Sequence, residues 1–287
     1  MRNTVQKQSN TYPVPFAALV ILPAILLGVL AMIAGKEPPV LWGQQLAAWL
    51  ILAFLAWLLR RFAVRIPAYV WDVLLLLLLA ASLLGQGTDG VRRWLDLGVA
   101  HVNATMLVLP AILVVLCRVK KPYLVLIAAA AVVCFQPDLS QLTAFCAAAL
   151  PLIWKCGTKR ILQEGITVCL CILLRICLSV QTVVPPVPYT EGILSMLGNI
   201  SGILVAVGWI ALLLIPLFFV FGYYKKKSRP LLCLALYYTV TILFILDGHY
   251  PVPFMGFGLS PIAGYWLAYA VMVPEKDKDD PERGAAA

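Results

Sequence analysis

The stretch Ile203–Val220 reads ILVAVGWIALLLIPLFFV and contains no charged, amide or hydroxyl side chain. A second stretch, Val73–Leu84, reads VLLLLLLAASLL and is nearly as apolar. In lipid, each backbone polar group must be hydrogen-bonded within its own segment or within a closed barrel. Barrel strands alternate apolar and polar residues, whereas these stretches are apolar on every face. They therefore predict membrane-spanning α-helices.

Stretches of this kind recur along the whole chain of 287 residues, of which 62% are hydrophobic and 12% are charged. A soluble domain carries about 25% charged residues, and no segment of that composition and useful size remains here. The sequence predicts an all-α integral membrane protein, with a polytopic helical membrane domain over residues 14–273. We expect a cytoplasmic N-terminal segment over residues 1–13 and a charged, disordered cytoplasmic tail over residues 274–287.

About ten segments approach the length of about 20 apolar residues that crosses a bilayer. These candidate spans cover residues 14–34, 39–59, 68–85, 104–117, 122–135, 139–154, 161–180, 193–222, 230–247 and 256–273. The first is too long for the hydrophobic region of a signal peptide, and no small-residue cleavage site follows it. We therefore expect it to remain as the first helix.

Lysines and arginines form clusters before the first span and after every second span. The clusters hold 18 of the 22 basic residues, namely Arg2 and Lys7; Arg60, Arg61 and Arg65; Arg118, Lys120 and Lys121; Lys155, Lys159 and Arg160; Lys225, Lys226, Lys227 and Arg229; and Lys276, Lys278 and Arg283. Because basic loops stay in the cytoplasm, this order predicts about ten transmembrane helices with both termini cytoplasmic. The net charge of +9 is thus a feature of membrane topology, and no nucleic-acid partner is predicted.

The fifth and sixth spans are short, because the sequence Gln136-Pro137-Asp138 divides the chain between Lys121 and Lys155. A span of ordinary length needs roughly 17 residues or more, and neither half of this segment reaches that length. Either the pair crosses the bilayer where it is thin, or it forms a re-entrant hairpin. Both alternatives place Asp138 on or toward the outer side.

Three patches in the predicted outer loops resemble, in order, segments of the SEDS family (the RodA, FtsW and SpoVE proteins). Gly90–Gly98 reads GVRRWLDLG and is similar to the family's Gly-Ala-x-Arg-Trp-Ile-x-Leu-Gly. Gln136–Ser140 reads QPDLS and is similar to its Gln/Glu-Pro-Asp-Leu-Gly. Val252–Gly258 reads VPFMGFG and is similar to its Leu-Pro-Phe-x-Ser-Tyr-Gly. The resemblance covers essentially the whole chain and implies a ten-helix enzyme that polymerises lipid II into peptidoglycan, usually beside a class B penicillin-binding protein.

The chain departs from the family at the residues around the catalytic carboxylate. The outer loop that bears the family's catalytic Asp is shortened here, and the alignment places Glu191 at that position. Met106 and Leu109 stand where the family has a Glu and a Lys at the start of its fourth helix. The resemblance therefore implies Glu191 as the catalytic base of a divergent, shortened relative. The alternative is a solvated acid at a helix N-terminus, where negative charge is mildly favourable.

The substrate-binding candidates are Arg92, Arg93, Trp94, Asp138 and Arg175. Paired arginines suit a diphosphate, but Arg92 and Arg93 could equally pair with Asp89 and Asp96 or lie among lipid headgroups. Trp94 is expected as an interfacial anchor more than as a sugar platform. Asp138 either contacts substrate or caps the helix that follows it. Arg175, within a span, either faces inward as a partner of the site or extends to the outer interface.

These features lead to competing functional hypotheses. The first is a SEDS-like peptidoglycan glycosyltransferase in the bacterial cytoplasmic membrane, with lipid II as substrate. The second is a non-catalytic SEDS-like scaffold for a penicillin-binding protein or another division protein. A transporter or lipid flippase is less favoured, because the candidate residues gather at the outer face and not near the bilayer midplane. No cofactor and no protein metal site are predicted, although a divalent cation could accompany the pyrophosphate.

Overall fold

The structure is a computed structural model that describes residues 14–63, 65–85, 91–96, 98, 101–154, 159–180 and 185–272. The helices and strands within these residues are, in chain order, α1 Val14–Ala34, α2 Pro39–Ala63, α3 Ala68–Ala81, β1 Trp94–Asp96, β2 His101–Asn103, α4 Ala104–Leu116, α5 Tyr123–Phe135, α6 Leu139–Ile153, α7 Arg160–Ser179, α8 Ile193–Ile200, α9 Gly202–Lys226, α10 Arg229–Leu243 and α11 Leu259–Val271. Among the described residues, five helical segments are each long and apolar enough to cross a membrane, and shorter apolar helices lie between them. The predicted all-α membrane fold with about ten helices is confirmed. The predicted terminal segments lie outside the described residues.

The predicted span over residues 193–222 is not one helix, because the chain breaks between α8 and α9 at Ser201. Ser201 has an extended backbone (φ −166°, ψ 138°), and its side chain accepts a hydrogen bond from the backbone N–H of Ile203 at 3.2 Å. A serine oxygen that takes up a free N–H in this way is an N-cap, which starts a new helix. The apolar composition on both sides of Ser201 concealed this break in the sequence.

Helix α4 lies at the centre of the molecule. Every residue from Val108 to Leu116 is buried, so this helix packs against protein on all sides. Helix α11 packs against both α4 and α2, while α10 packs against α6 and α9. The central helices are thus shielded from lipid, and α2, α7 and α9 expose many large apolar side chains instead. Such side chains are the surface expected of helices that face hydrocarbon.

Two helices approach each other closely at Gly264 of α11. A Cβ atom at this position would overlap the backbone carbonyl oxygen of Met106 in α4. Small residues permit this approach of helix backbones, which is how membrane helices gain packing contacts without a hydrophobic driving force. Met106 stands in the first turn of α4, so this contact also fixes the outer end of α4 against α11.

Gly264→Ala is expected to destabilise the protein, because the added methyl group must force α4 and α11 apart. Overpacking of this kind costs roughly 1–3 kcal/mol. The matched control is Gly165→Ala in α7, where an added Cβ would meet nothing within 4 Å. Apparent unfolding midpoints in detergent measure both effects: a drop for Gly264→Ala alone is expected, and equal midpoints for the two variants would contradict this packing.

Candidate functional site

A short antiparallel hairpin positions Arg93 and Trp94 at the outer end of the molecule. Strands β1 and β2 pair so that Trp94 lies opposite Asn103. The backbone N–H of Ala104 donates to the carbonyl oxygen of Arg93 at 2.8 Å, which attaches the hairpin directly to the start of α4. The predicted outer loop therefore has regular structure, although too few residues pair for the sequence pattern to show it.

Asn103 connects this hairpin to two helices. Its side-chain oxygen accepts a hydrogen bond from the N–H of Met106 at 3.1 Å and so caps α4. The hydroxyl of Thr105 donates to the same oxygen. The backbone N–H of Asn103 donates to the hydroxyl of Ser260 in α11 at 2.8 Å. Because Asn103 is buried, these bonds fix the hairpin relative to the helix bundle.

Asp138 caps α6 and also pairs with Arg93. One carboxylate oxygen accepts hydrogen bonds from the N–H of Gln141 at 3.3 Å and from the hydroxyl of Ser140 at 3.0 Å. The other oxygen lies 3.6 Å from Nη1 of Arg93 and 3.2 Å from the hydroxyl oxygen of Thr105. The side chains of Arg93 and Asp138 are only 8% and 1% exposed. The predicted helix cap is present, and a buried ion pair accompanies it.

Arg93 retains hydrogen-bonding capacity after it pairs with Asp138. Its guanidinium carbon lies 4.5 Å from the centre of the Trp94 ring, a cation–π contact that holds the side chain in place. The buried Nε of Arg93 has no hydrogen-bond partner among the described residues. A buried N–H without an acceptor is costly in a native structure. Arg93 is thus oriented by Asp138 and Trp94, and these contacts leave part of its hydrogen-bonding capacity unused.

A tight turn places Glu191 at the same end of the molecule. The N–H groups of Thr190, Glu191 and Gly192 all donate to the carbonyl oxygen of Val187, at 3.0, 3.0 and 3.1 Å. In return, the N–H of Val187 donates to Oε2 of Glu191 at 2.8 Å. The carboxylate therefore closes the turn that carries it. Glu191 is half-buried, and the hydrogen bond from the N–H of Val187 fixes the direction of its carboxylate.

Val252–Gly258, the third of the outer-loop patches, holds the Glu191 turn in place. The N–H of Phe257 donates to the carbonyl oxygen of Tyr189 at 2.7 Å, and the two aromatic rings meet edge to face at 6.0 Å. Phe254 has a left-handed backbone (φ 66°), which is rare for a residue with a bulky side chain. The buried amide of Gln45 in α2 donates to the carbonyl oxygen of Phe254 at 2.6 Å and so helps to support this conformation.

Arg93, Trp94 and Glu191 line one cavity of about 290 Å³ at the outer end of α4 and α11. Met106 also lines it, so the position at which the family resemblance expects an acid is apolar here. Leu109, the other departure, is fully buried in the core. The cavity thus has one carboxylate and one buried guanidinium from separate loops, and the walls between them are largely apolar.

His101 also lines this cavity, and the sequence analysis did not include it among the candidate residues. His101 and Asn103 are two residues apart on β2, and alternate residues of a strand share one face. Both line the cavity for this reason. The sequence signal was the position of His101 two residues before Asn103, which caps α4. A strand of three residues is too short to show an alternating pattern of residues in the sequence.

The other candidates lie outside this cavity. Arg92 lines a different cavity, on the opposite side of the hairpin, so the two adjacent arginines do not act together on one ligand. Arg175 is exposed on α7 and does not line either cavity. Asp138 is buried behind Arg93. The alternative partners Asp89 and the side chain of Asp96 lie outside the described residues.

Tyr250 lies close to the Arg93–Asp138 pair, in the loop before α11. Burial raises the pKa of its phenol to about 12, and the nearby carboxylates of Asp138 and Asp247 add to this rise. Negative charge near a phenol disfavours its ionised form. Tyr250 therefore stays neutral at physiological pH and adds no charge beside the ion pair.

Comparison with solved structures shows which known fold the chain shares. No family model matches the chain, and no curated protein matches it in sequence. Among solved structures, the rod shape determining protein RodA of Thermus thermophilus is similar with a TM-score of 0.65 and 20% identity, covering 90% of this chain and 94% of that one. A mutant of the same RodA, with an aspartate changed to alanine, gives the same TM-score and identity.

A chain from a peptidoglycan synthase complex that coordinates polymerization and crosslinking is also similar, with a TM-score of 0.62 and 18% identity. It covers 90% of this chain and 96% of its own length. At these identities the likeness establishes the three-dimensional arrangement of the helices. The chain therefore has the fold of RodA, as the resemblance of its three outer-loop patches predicted.

Proposed function

We propose that the chain is a SEDS-like peptidoglycan glycosyltransferase that polymerises lipid II at the outer face of the bacterial cytoplasmic membrane. One observation supports this most strongly: Glu191 and Arg93 come from loops far apart in the sequence, and both line one cavity. Glycosyl transfer from a lipid diphosphate needs a base for the acceptor and cationic donors for the leaving group. The cavity has both kinds of group, within the RodA fold.

In this proposal Glu191 is the general base. Its carboxylate takes the proton from a sugar hydroxyl of the acceptor, and the hydroxyl oxygen attacks the anomeric carbon of the donor. The bond between that carbon and the diphosphate oxygen breaks, so the diphosphate departs with its lipid. The N–H of Val187, which donates to Oε2, would hold the carboxylate in a fixed direction during this step. The other oxygen is the one assigned to accept the proton.

In this proposal Arg93 and His101, which both line the cavity, stabilise the negative charge that develops on the diphosphate. Donors that are already oriented stabilise developing charge without reorganising, and Arg93 is oriented by Asp138 and Trp94. Its guanidinium, which lines the cavity, is the donor assigned to a phosphate oxygen. A divalent cation, if one takes part, would enter with the diphosphate. Met106 replaces a charged residue with an apolar one, so fewer protein charges share this task here.

The non-catalytic scaffold remains the second candidate, and Met106 and Leu109 are the observation that favours it. Two charged positions implied by the resemblance are apolar, and Leu109 is fully buried in the core. Either function fits a class B penicillin-binding protein as partner, because one similar chain comes from a peptidoglycan synthase complex. Activity measurements separate the two candidates.

Glu191→Gln is expected to lower the rate of lipid II polymerisation by roughly 100-fold or more, since a general base contributes about 10²–10⁴. The assay uses the purified protein, alone and together with a class B penicillin-binding protein, and detects glycan chains on gels. The matched control is Glu37→Gln, which removes another loop carboxylate outside the cavity. Equal chain yields from wild type and Glu191→Gln would remove Glu191 from the mechanism, and no chains from any protein would favour the scaffold.

Asp138→Asn is expected to destabilise the protein because it leaves the Arg93 charge buried without a partner. Removing one member of a buried pair costs roughly 3–5 kcal/mol. Asp247→Asn is the control, since that carboxylate is exposed and a surface change usually costs less than about 0.5 kcal/mol. Apparent unfolding midpoints in detergent compare the two, and a midpoint for Asp138→Asn equal to wild type would show that the pair contributes nothing.

A further inference from the structure

A second cavity lies on the other side of the hairpin, between the outer ends of α3, α5 and α7. We call it the outer recess; it measures about 570 Å³. Its walls include Leu83, Phe135, Pro137, Leu173 and Ile176, and Arg92 is the charged group among the described residues that line it. Phe135 is 74% exposed, so the described part of the chain leaves this large aromatic side chain largely uncovered in the recess.

The outer recess follows from the shortness of α5. Helix α5 has 13 residues and α7 has 20, which correspond to roughly 20 Å and 30 Å at the helical rise per residue. Both begin next to basic residues on the predicted cytoplasmic side. The hydrocarbon core is about 30 Å thick, so α7 spans it and α5 ends within it. The space above Phe135 therefore lies at the depth of the outer-leaflet lipid chains.

The recess is separate from the Glu191 cavity. Arg93 turns inward to Asp138, whereas Arg92 is exposed and lines the recess. The turn at Pro137 and Asp138 divides the two spaces, because Pro137 lines the recess and Asp138 bonds to Arg93 on the other side. A ligand in the recess would consequently lie on the opposite side of this turn from the candidate active site.

We propose that the outer recess binds one anionic phospholipid of the outer leaflet, with its phosphate on Arg92 and an acyl chain over Phe135 and Ile176. Apolar walls at hydrocarbon depth favour a lipid chain over water. A phosphodiester carries a single negative charge, which one guanidinium complements through bidentate hydrogen bonds. The lipid diphosphate of the proposed reaction carries more charge than Arg92 alone would balance. The size, depth and charge of the recess thus match a bilayer phospholipid.

Native mass spectrometry of the purified, delipidated protein tests this site. Phosphatidylglycerol and phosphatidylcholine with identical acyl chains are added in turn, and bound lipid is counted. We expect wild type to favour phosphatidylglycerol about fivefold, the effect of one basic residue on an anionic headgroup. Arg92→Gln should abolish this preference. Lys36→Gln, which removes an exposed cation from another outer loop, should retain it.

A second variant tests the apolar part of the site without changing charge. Leu173→Trp should fill the recess and lower the number of bound lipids, whereas Val168→Trp, at an exposed position of α7 that does not line the recess, should not. Equal binding of both lipids by wild type, or unchanged preference in Arg92→Gln, would overturn the proposal. Displacement of bound phosphatidylglycerol by polyprenyl diphosphate would assign the recess to the lipid substrate and overturn it as well. None of these results depends on polymerase activity, so the proposed function is tested separately.

Discussion

The buried ion pair between Arg93 and Asp138 is the interaction on which the outer face of this protein depends. It joins the hairpin to the start of α6, while Asn103 joins the same hairpin to α4 and α11. The loop before α11 then holds the Glu191 turn through Phe257. A buried charge pair is tolerated only where its carboxylate finds further donors, and Asp138 accepts from the hydroxyl of Ser140 and the N–H of Gln141 besides pairing with Arg93.

The sequence predicted the parts of the structure that depend on lipid as the solvent. Apolar length identified nearly every helix, because a helix is the way such segments satisfy their backbone in hydrocarbon. The same criterion missed the break at Ser201, since a single capping serine barely changes the apolar character of the stretch. It also missed the hairpin before α4, whose two strands have three residues each.

The candidate site was predicted less completely, because its residues are brought together by contacts that no spacing records. Arg92 and Arg93 are adjacent in the sequence and suggested one diphosphate site, yet they line separate cavities. Arg93 turns inward because it pairs with Asp138, the residue that caps α6. His101 lacked any motif, and it joins Glu191 through the pairing of β2 with β1. Glu191 was assigned as the catalytic base from a family resemblance. Neither loop sequence indicates that Glu191 and Arg93 line the same cavity.

The proposed function requires that the cavity of Glu191 and Arg93 open on the side opposite the basic clusters. Cysteine labelling in intact cells measures this most directly, with the eight native cysteines replaced and a single cysteine placed at Glu191 or at Lys226. A membrane-impermeant maleimide is predicted to label the cysteine at position 191 and to leave the one at 226 unmodified until the membrane is opened. Labelling at 226 but not at 191 in intact cells would invert the arrangement and contradict the account.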